Sequence, residues 1–194
     1  MPAIKAVTVF GGAATGADPA CRETAFALGR GLAEAGITVI FGGGSIGMMG
    51  AVADGALGAG GQVIGIIPDF LARREVAHTG VSEMIVTDSM HSRKRRMFEM
   101  SDAFVTLPGG LGTLDETFEM ITWRQLDLHS KPIIICDVGG WGAPFLALVE
   151  SLIRQGFVPR HAQEFYEVLD SAEAIVARLS ELPVIEQATA VSRL

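Results

Sequence analysis

The chain has 194 residues, of which 49% are apolar, enough for one domain with a full core and too regular in composition for a disordered segment. A formal net charge of −7 excludes general affinity for nucleic acid or an anionic membrane. The two cysteines, Cys21 and Cys136, have neither zinc-site nor redox-pair spacing and imply a reducing compartment. With no signal-like N-terminus and no apolar run near the roughly 20 residues of a membrane span, a cytoplasmic protein is expected.

Short apolar strands alternate with amphipathic helical stretches along the chain, the pattern of a parallel sheet covered on both faces. A strand over residues 4–10 leads through Gly11-Gly12-Ala13-Ala14-Thr15-Gly16 to Asp18-Pro19, an N-cap followed by proline at the first helical position. That helix runs to about Ala35 and closes at Gly36. A strand over 38–41 enters Gly42-Gly43-Gly44-Ser45-Ile46-Gly47, then a helix of small residues and a strand over 62–67. Pro68 opens an irregular stretch that contains Arg73, Arg74 and Glu75. A strand over 84–87 precedes a helix from about Ser89, and a strand over 103–107 precedes Pro108-Gly109-Gly110-Leu111-Gly112-Thr113 and a helix to about Leu126. A buried strand over 132–137, a helix over 143–155 and a last helix over 172–179 complete the pattern. The expected fold is α/β: a single doubly wound, Rossmann-like domain over residues 1–183 with a mostly parallel sheet. Residues 184–194 form a polar tail expected to be loose.

Two glycine-rich loops fall between a strand and the next helix, at the carboxyl end of the sheet where ligands bind in such folds. Glycines there let backbone amides approach an anion at a helix N-terminus. The first loop matches G-x-G-x-x-G at Gly42, Gly44 and Gly47, with Asp69 about 20 residues on, as in a dinucleotide site. It follows the second strand, however, whereas the dinucleotide fingerprint opens the first βα turn. Tight turns and close helix packing are the plainer account of the same glycines. Gly43, Gly44 and Ser45 stand as candidate phosphate contacts.

The second loop is followed by Leu114-Asp115-Glu116, two carboxylates expected in the first helical turn. Asp115 there serves the helix dipole. Glu116 would repel an anion at the same terminus, which suggests that it faces a centre that becomes positive. In Met90-His91-Ser92-Arg93-Lys94-Arg95-Arg96 the four cations cannot share one helical face. Arg95 and Arg96 read as a solvated face, and Arg93 and Lys94, nearer the helix start, as candidates for gripping a phosphate or orienting a leaving group. His78, His91, His129 and His161 have no metal-ligand spacing, so no metal is expected. Trp123 and Trp141 read as core or subunit contact, and Met48, Met49, Met97, Met100 and Met120 as packing.

The segments GGGSIGMMG (42–50), His91-Ser92-Arg93-Lys94 and PGGLGTLDE (108–116) stand in the order and spacing of the LONELY GUY family, which this chain resembles from the first strand to the helix after Pro132. Members are cytokinin-activating phosphoribohydrolases, often labelled lysine decarboxylases in error; no lysine here sits in a pyridoxal phosphate context. The resemblance implies hydrolysis of the N-glycosidic bond of an adenosine 5′-monophosphate or its N6-modified form, releasing the base and ribose 5-phosphate. Arg93 and Glu116 match the catalytic pair. Lys94, Gly110, Leu111, Gly112, Thr113, Leu114, Asp115 and Thr122 match substrate-contacting positions, and Glu75 an acid near the base. The resemblance also implies a homodimer and no cofactor. The chain departs from the family at Gly11 to Thr15, where a Cys-Gly-Ser-Ser-type loop is usual, and at Arg73, where a proline is common. Two other readings remain: a non-catalytic nucleotide or cofactor carrier of the same fold, and an NAD-dependent oxidoreductase, for which no hydride-transfer acid–base set is visible.

Overall fold

A computed structural model describes residues 4–72 and 77–183. In chain order the elements are β1 (Ala6–Phe10), α1 (Pro19–Glu34), β2 (Thr38–Phe41), α2 (Gly47–Gly58), β3 (Val63–Pro68), α3 (Asp69–Ala72), β4 (Glu83–Thr87) and α4 (Met90–Met100). They continue with β5 (Ala103–Thr106), α5 (Leu111–Gln125), β6 (Ile133–Cys136), α6 (Ala143–Arg154), β7 (Glu167–Leu169) and α7 (Ala172–Glu181), with 3-10 turns at Val138–Gly140 and Arg160–Phe165.

Local chemistry sets the helix starts. The Asp18 side chain accepts from the Ala20 amide at 2.9 Å, and Pro19 follows at the first helical position of α1. At α4, Ser89 and Ser92 form a reciprocal capping box, with backbone-to-hydroxyl distances of 3.1 and 3.2 Å. Gly36 ends the α1 turn at φ 72°, a value that only glycine adopts freely.

The seven strands pair in the order β4-β3-β2-β1-β5-β6-β7, every pair parallel. Parallel neighbours need crossovers, and the helices supply them on both faces. Residues alternate accordingly: Val39 and Phe41 of β2 join a core with Leu28, Leu32, Val52, Ile175 and Leu179, beneath α1, α2 and α7. Ile40 faces the other side, packing with Ile66, Met97, Phe98, Phe104, Met120 and Phe145 beneath α4, α5 and α6. The winding direction reverses between β1 and β5, so the crevice of a doubly wound sheet opens there, between the loops after Phe10 and Thr106.

The α/β, doubly wound expectation is met, with differences at particular elements. Pro68 closes β3, paired with Thr87 at the sheet end where a missing N–H costs no ladder bond, and the short α3 follows it. The three-residue edge strand β7 was not anticipated: its half-exposed Glu-Val-Leu carries no apolar run. Because α5 begins at Leu111, Asp115 and Glu116 lie in its second turn and not its first, too far along to act as dipole-stabilising caps. The tail after 183 and Glu75 fall outside the described residues.

Candidate active site

The capping box fixes where α4 starts, and with it the direction of Arg93, its fourth residue. The Asp88 carboxyl, which accepts from both cap hydroxyls, is held below the ordinary range by the hydrogen bonds from Ser92 and Ser89. Arg93 is buried and reaches the carboxyl ends of two strands: Nε donates to the Ile66 carbonyl at 3.0 Å and Nη2 to the Gly42 carbonyl at 3.5 Å. A Cβ on Gly42 would stand 2.2 Å from that Nη2, so the guanidinium can lie there only because residue 42 is glycine. On its other side Arg93 Nη1 is 3.6 Å from Glu116 Oε1, an ion pair with side chains 10% and 11% exposed.

Burial raises the Glu116 carboxyl above its usual range; the Arg93 charge offsets part of that, and Asp115 adds to it. Beside this pair, Lys94 Nζ lies 3.2 Å from Asp115 Oδ2 and 3.1 Å from Glu119 Oε2. Burial pulls the Lys94 ammonium down, but hydrogen bonding and attraction from these two carboxylates outweigh it, and the net shift is upward. Arg95 and Arg96 pair with Glu99, their side chains 43% and 50% exposed, as a solvated face should be.

The two glycine loops behave differently. At α2 the amides of Met48 and Met49 point at the Gly12 carbonyl, at 2.9 and 3.4 Å, so that helix N-terminus is occupied by backbone. Gly47 has φ 66°, and a Cβ there would lie 2.3 Å from the Ala13 carbonyl carbon. The plainer account of the 42–47 glycines therefore describes what they do in this fold. The dinucleotide reading loses the free helix terminus it requires. Gly43 and Gly44 hold instead the segment after residue 76, through a hydrogen bond from the His78 amide to the Gly43 carbonyl at 2.9 Å and an antiparallel bridge from Gly44 to Ala77. Ser45 is half-buried at the start of the turn into α2.

At α5 the carbonyls that could cap the helix are all engaged. Pro108 accepts from the Gly12 amide at 3.1 Å, Gly109 from the Trp141 indole Nε1 at 3.1 Å, and Gly110 from Leu114 within the helix at 3.1 Å. Among the described residues no backbone acceptor meets the amides of Leu111, Gly112 and Thr113. Gly110 and Gly112 face open space. Beside this terminus, at the switch point, lies a cleft of about 640 Å³ lined by residues 12–18, Cys21, 108–110 and 138–141.

The structure thus gathers Arg93, Glu116, Lys94 and Asp115 around one corner, on and beside the helix that Gly110 to Thr113 begin. Leu114 points elsewhere, into an apolar groove with Phe118, Trp141 and Phe145. Thr122 is exposed and, six residues beyond Glu116, about 9 Å further along the helix axis, away from the pair. Reading the sequence missed two residues. Glu119 follows Asp115 at the i+4 spacing that puts both on one face, a signal that was available. Trp141, read as core or subunit contact, lines the cleft and holds the Gly109 carbonyl; nothing local in Val138-Gly139-Gly140-Trp141 announces that. Among the described residues no group of three or more His, Cys, Asp or Glu could hold a metal.

Comparison with known proteins gives this corner a context. A family model described as "Possible lysine decarboxylase" matches residues 49–179. The cytokinin riboside 5′-monophosphate phosphoribohydrolase LOG of Oryza sativa subsp. japonica is 39% identical over 175 residues, covering 90% of this chain and 72% of its own. The chain belongs to the LONELY GUY family. The cytokinin riboside 5′-monophosphate phosphoribohydrolase of Rhodococcoides fascians is 38% identical over 179 residues, covering 92% of this LONELY GUY chain and 90% of its own. The molybdenum cofactor binding protein of Rippkaea orientalis superposes with a TM-score of 0.68 at 23% identity, covering 90% of this chain and 94% of its own, which shows a shared fold. The decarboxylase wording of the family model finds no support in the lysines: Lys94 is tied to two carboxylates, and Lys131 is buried on the Phe98 carbonyl at 2.6 Å.

Proposed function

We propose that this LONELY GUY protein hydrolyses the N-glycosidic bond of a nucleoside 5′-monophosphate, an adenosine or N6-modified adenosine nucleotide of the cytokinin riboside class, releasing the base and ribose 5-phosphate. The observation that carries this is the buried Arg93–Glu116 pair beside a helix N-terminus whose amides are open. Five residues separate Leu111 from Glu116, about 7.5 Å along the axis, the scale of a ribose between its 5′-phosphate and its anomeric carbon. A phosphate on the α5 amides would bring the sugar to the carboxylate.

Cleavage passes through an oxocarbenium-like state. Glu116 stabilises positive charge only as it grows on the sugar, which lowers the barrier without tightening the ground state. A water adds to the anomeric carbon as the bond to the base nitrogen breaks. The bonding electrons leave with the base, which takes up a proton, and the proton lost by the water passes to Glu116. A carboxyl held above its ordinary range is a better acceptor for that proton, while the Arg93 charge favours its ionised form. Lys94, paired with Asp115 and Glu119, holds those two carboxylates in place beside the nucleotide. Glu75 and Thr122 are assigned to substrate contact by resemblance to the family; Gly43, Gly44 and Ser45 are candidates from the glycine-loop pattern alone. A homodimer is likewise assigned by that resemblance. A carboxylate buried against an arginine beside open helix amides favours catalysis over a carrier of the same fold.

The test is chromatography of the protein incubated with AMP and with N6-isopentenyl-AMP, alongside Glu116→Gln. Wild type should release base and ribose 5-phosphate, and the variant should lose turnover by roughly 100-fold or more with nucleotide binding retained. Normal turnover by the variant removes Glu116 from the mechanism. Nucleotide returned intact by wild type would leave the carrier reading.

A further inference from the structure

Helix α5 keeps its terminal amides free because the carbonyls before it are held elsewhere, and one of them is held by a side chain. The first amides of a helix have no intrahelical partner and are met by side chains, water, ligands or, as at α2, a carbonyl from another loop, here that of Gly12. At α5 the Pro108 carbonyl is tied into the β1 loop by the Gly12 amide, a backbone bond that belongs to the sheet end. The Gly109 carbonyl is held by the indole of Trp141, 32 residues away in sequence.

We infer that Trp141 is a positioning residue for the phosphate end of the substrate: its indole N–H withholds the Gly109 carbonyl from the α5 terminus and keeps Leu111 to Thr113 available to an anion. This rests on the proposed nucleotide reaction. The loop that delivers Trp141 is built for one position. Gly139 and Gly140 have φ of 62° and 74°, and a Cβ on Gly139 would stand 2.8 Å from Asp18 Oδ2. Asp137 Oδ1 accepts from the Gly142 amide at 2.7 Å on the far side of the tryptophan. The indole is half-buried between the cleft and the apolar groove of Leu114, Phe118 and Phe145, so packing fixes the ring and only the N–H is left to choose a partner. Without that donor the flexible Gly109-Gly110 link can rotate, and its carbonyl becomes an internal competitor for the amides. The expected effect falls on affinity for the phosphate and not on bond breaking, since Trp141 does not touch the Arg93–Glu116 pair.

Two variants test this: Trp141→Phe, and replacement of Trp141 by benzothienylalanine, which keeps the ring shape and puts sulfur in place of the N–H. Calorimetric titration with ribose 5-phosphate, a probe that does not react, reads the phosphate site directly. KM and kcat on AMP read its use. Affinity for ribose 5-phosphate should fall roughly fivefold in both variants, the size of one neutral hydrogen bond, with KM rising to match and kcat within about twofold. Unchanged affinity in the benzothienylalanine protein, or a loss confined to kcat, overturns the inference. If wild type binds ribose 5-phosphate but cleaves no nucleotide, the proposed reaction fails and the titration still decides the role of Trp141. If wild type does not bind ribose 5-phosphate, the inference fails as well.

Discussion

Replacing Arg93 with methionine keeps most of the side-chain volume and removes the charge, which isolates what the guanidinium does for Glu116. In the native protein both side chains are nearly buried and 3.6 Å apart. Removing one partner of a buried pair costs about 3–5 kcal/mol when the other must stay charged. Glu116 has a way out, because burial already lifts its carboxyl above the ordinary range and loss of Arg93 removes the largest opposing influence. Once the carboxyl takes up a proton, the remaining cost is the lost hydrogen bonds to the Ile66 and Gly42 carbonyls, about 1–2 kcal/mol. The folded state of the variant binds a proton over a window where the unfolded chain does not, from the ordinary value of 4.5 up to the raised one. Stability therefore falls as pH rises through that window and recovers as pH drops below it.

Urea unfolding of Arg93→Met and wild type at a series of pH values measures this. At pH 8 the variant should lose about 3 kcal/mol, roughly 6–12 °C in Tm for a chain of this size, and much less at pH 4.5. Adding Glu116→Gln should remove the pH dependence of the difference. An equal loss at every pH, or a double variant that keeps the pH dependence, would refute the coupling between the two residues.

Lys131 is pushed down to about 8 by burial, so the folded state binds fewer protons than the unfolded chain between about 8 and 10.5. Stability should rise with pH across that window by up to about 3 kcal/mol relative to Lys131→Met, as differential unfolding would show. His129, held to about 4 by burial, hydrogen-bonds the Met120 carbonyl through Nε2 and accepts the Lys131 amide on Nδ1, an arrangement that needs the neutral ring. As pH falls from 6.5 toward 4, wild type should lose about 3 kcal/mol more than His129→Gln, read from the same denaturation series. Helices α1 and α2 touch through glycines: a Cβ on Gly29 would stand 2.0 Å from the Val52 carbonyl oxygen, and one on Gly58 would meet nothing. Gly29→Ala should cost about 2 kcal/mol or more in thermal unfolding, and Gly58→Ala should be neutral or better.

The fold was legible because its signals are local. The central parallel strands are buried on both faces and so read as apolar runs, as in Thr38–Phe41 and Ile133–Cys136, and the starts of α1 and α4 are marked by side-chain caps at Asp18 and Ser89. Where that rule lapses, the reading lapsed too. Edge strand β7 is half-covered and three residues long, so its alternation is too brief to register. The second-turn position of Glu116 could not be read either, because Gly110 caps α5 with no side-chain hydrogen bond and leaves no signature of where the helix begins.

In the site, the same distinction separates what was seen from what was missed. Arg93 and Glu116 stand inside short motifs whose residue types already ask for a partner: an arginine ahead of its neighbours at a helix start, and an acid just past a glycine-rich loop. The 42–47 loop shows how such a motif misleads. Its glycines fit a dinucleotide pattern, but Gly42 is required by the Arg93 guanidinium and Gly47 by the Ala13 backbone, both distant in sequence. A glycine records that something comes close and not what comes close. Trp141 is the converse, a residue whose contribution is one hydrogen bond to a carbonyl in another loop. Its partner is set by the spacing of the loops after β5 and β6, a distance that exists only once the sheet has formed. Residues whose type and motif carry the proposed chemistry are therefore the ones a sequence announces, and a residue that holds a distant backbone carbonyl is left to the fold.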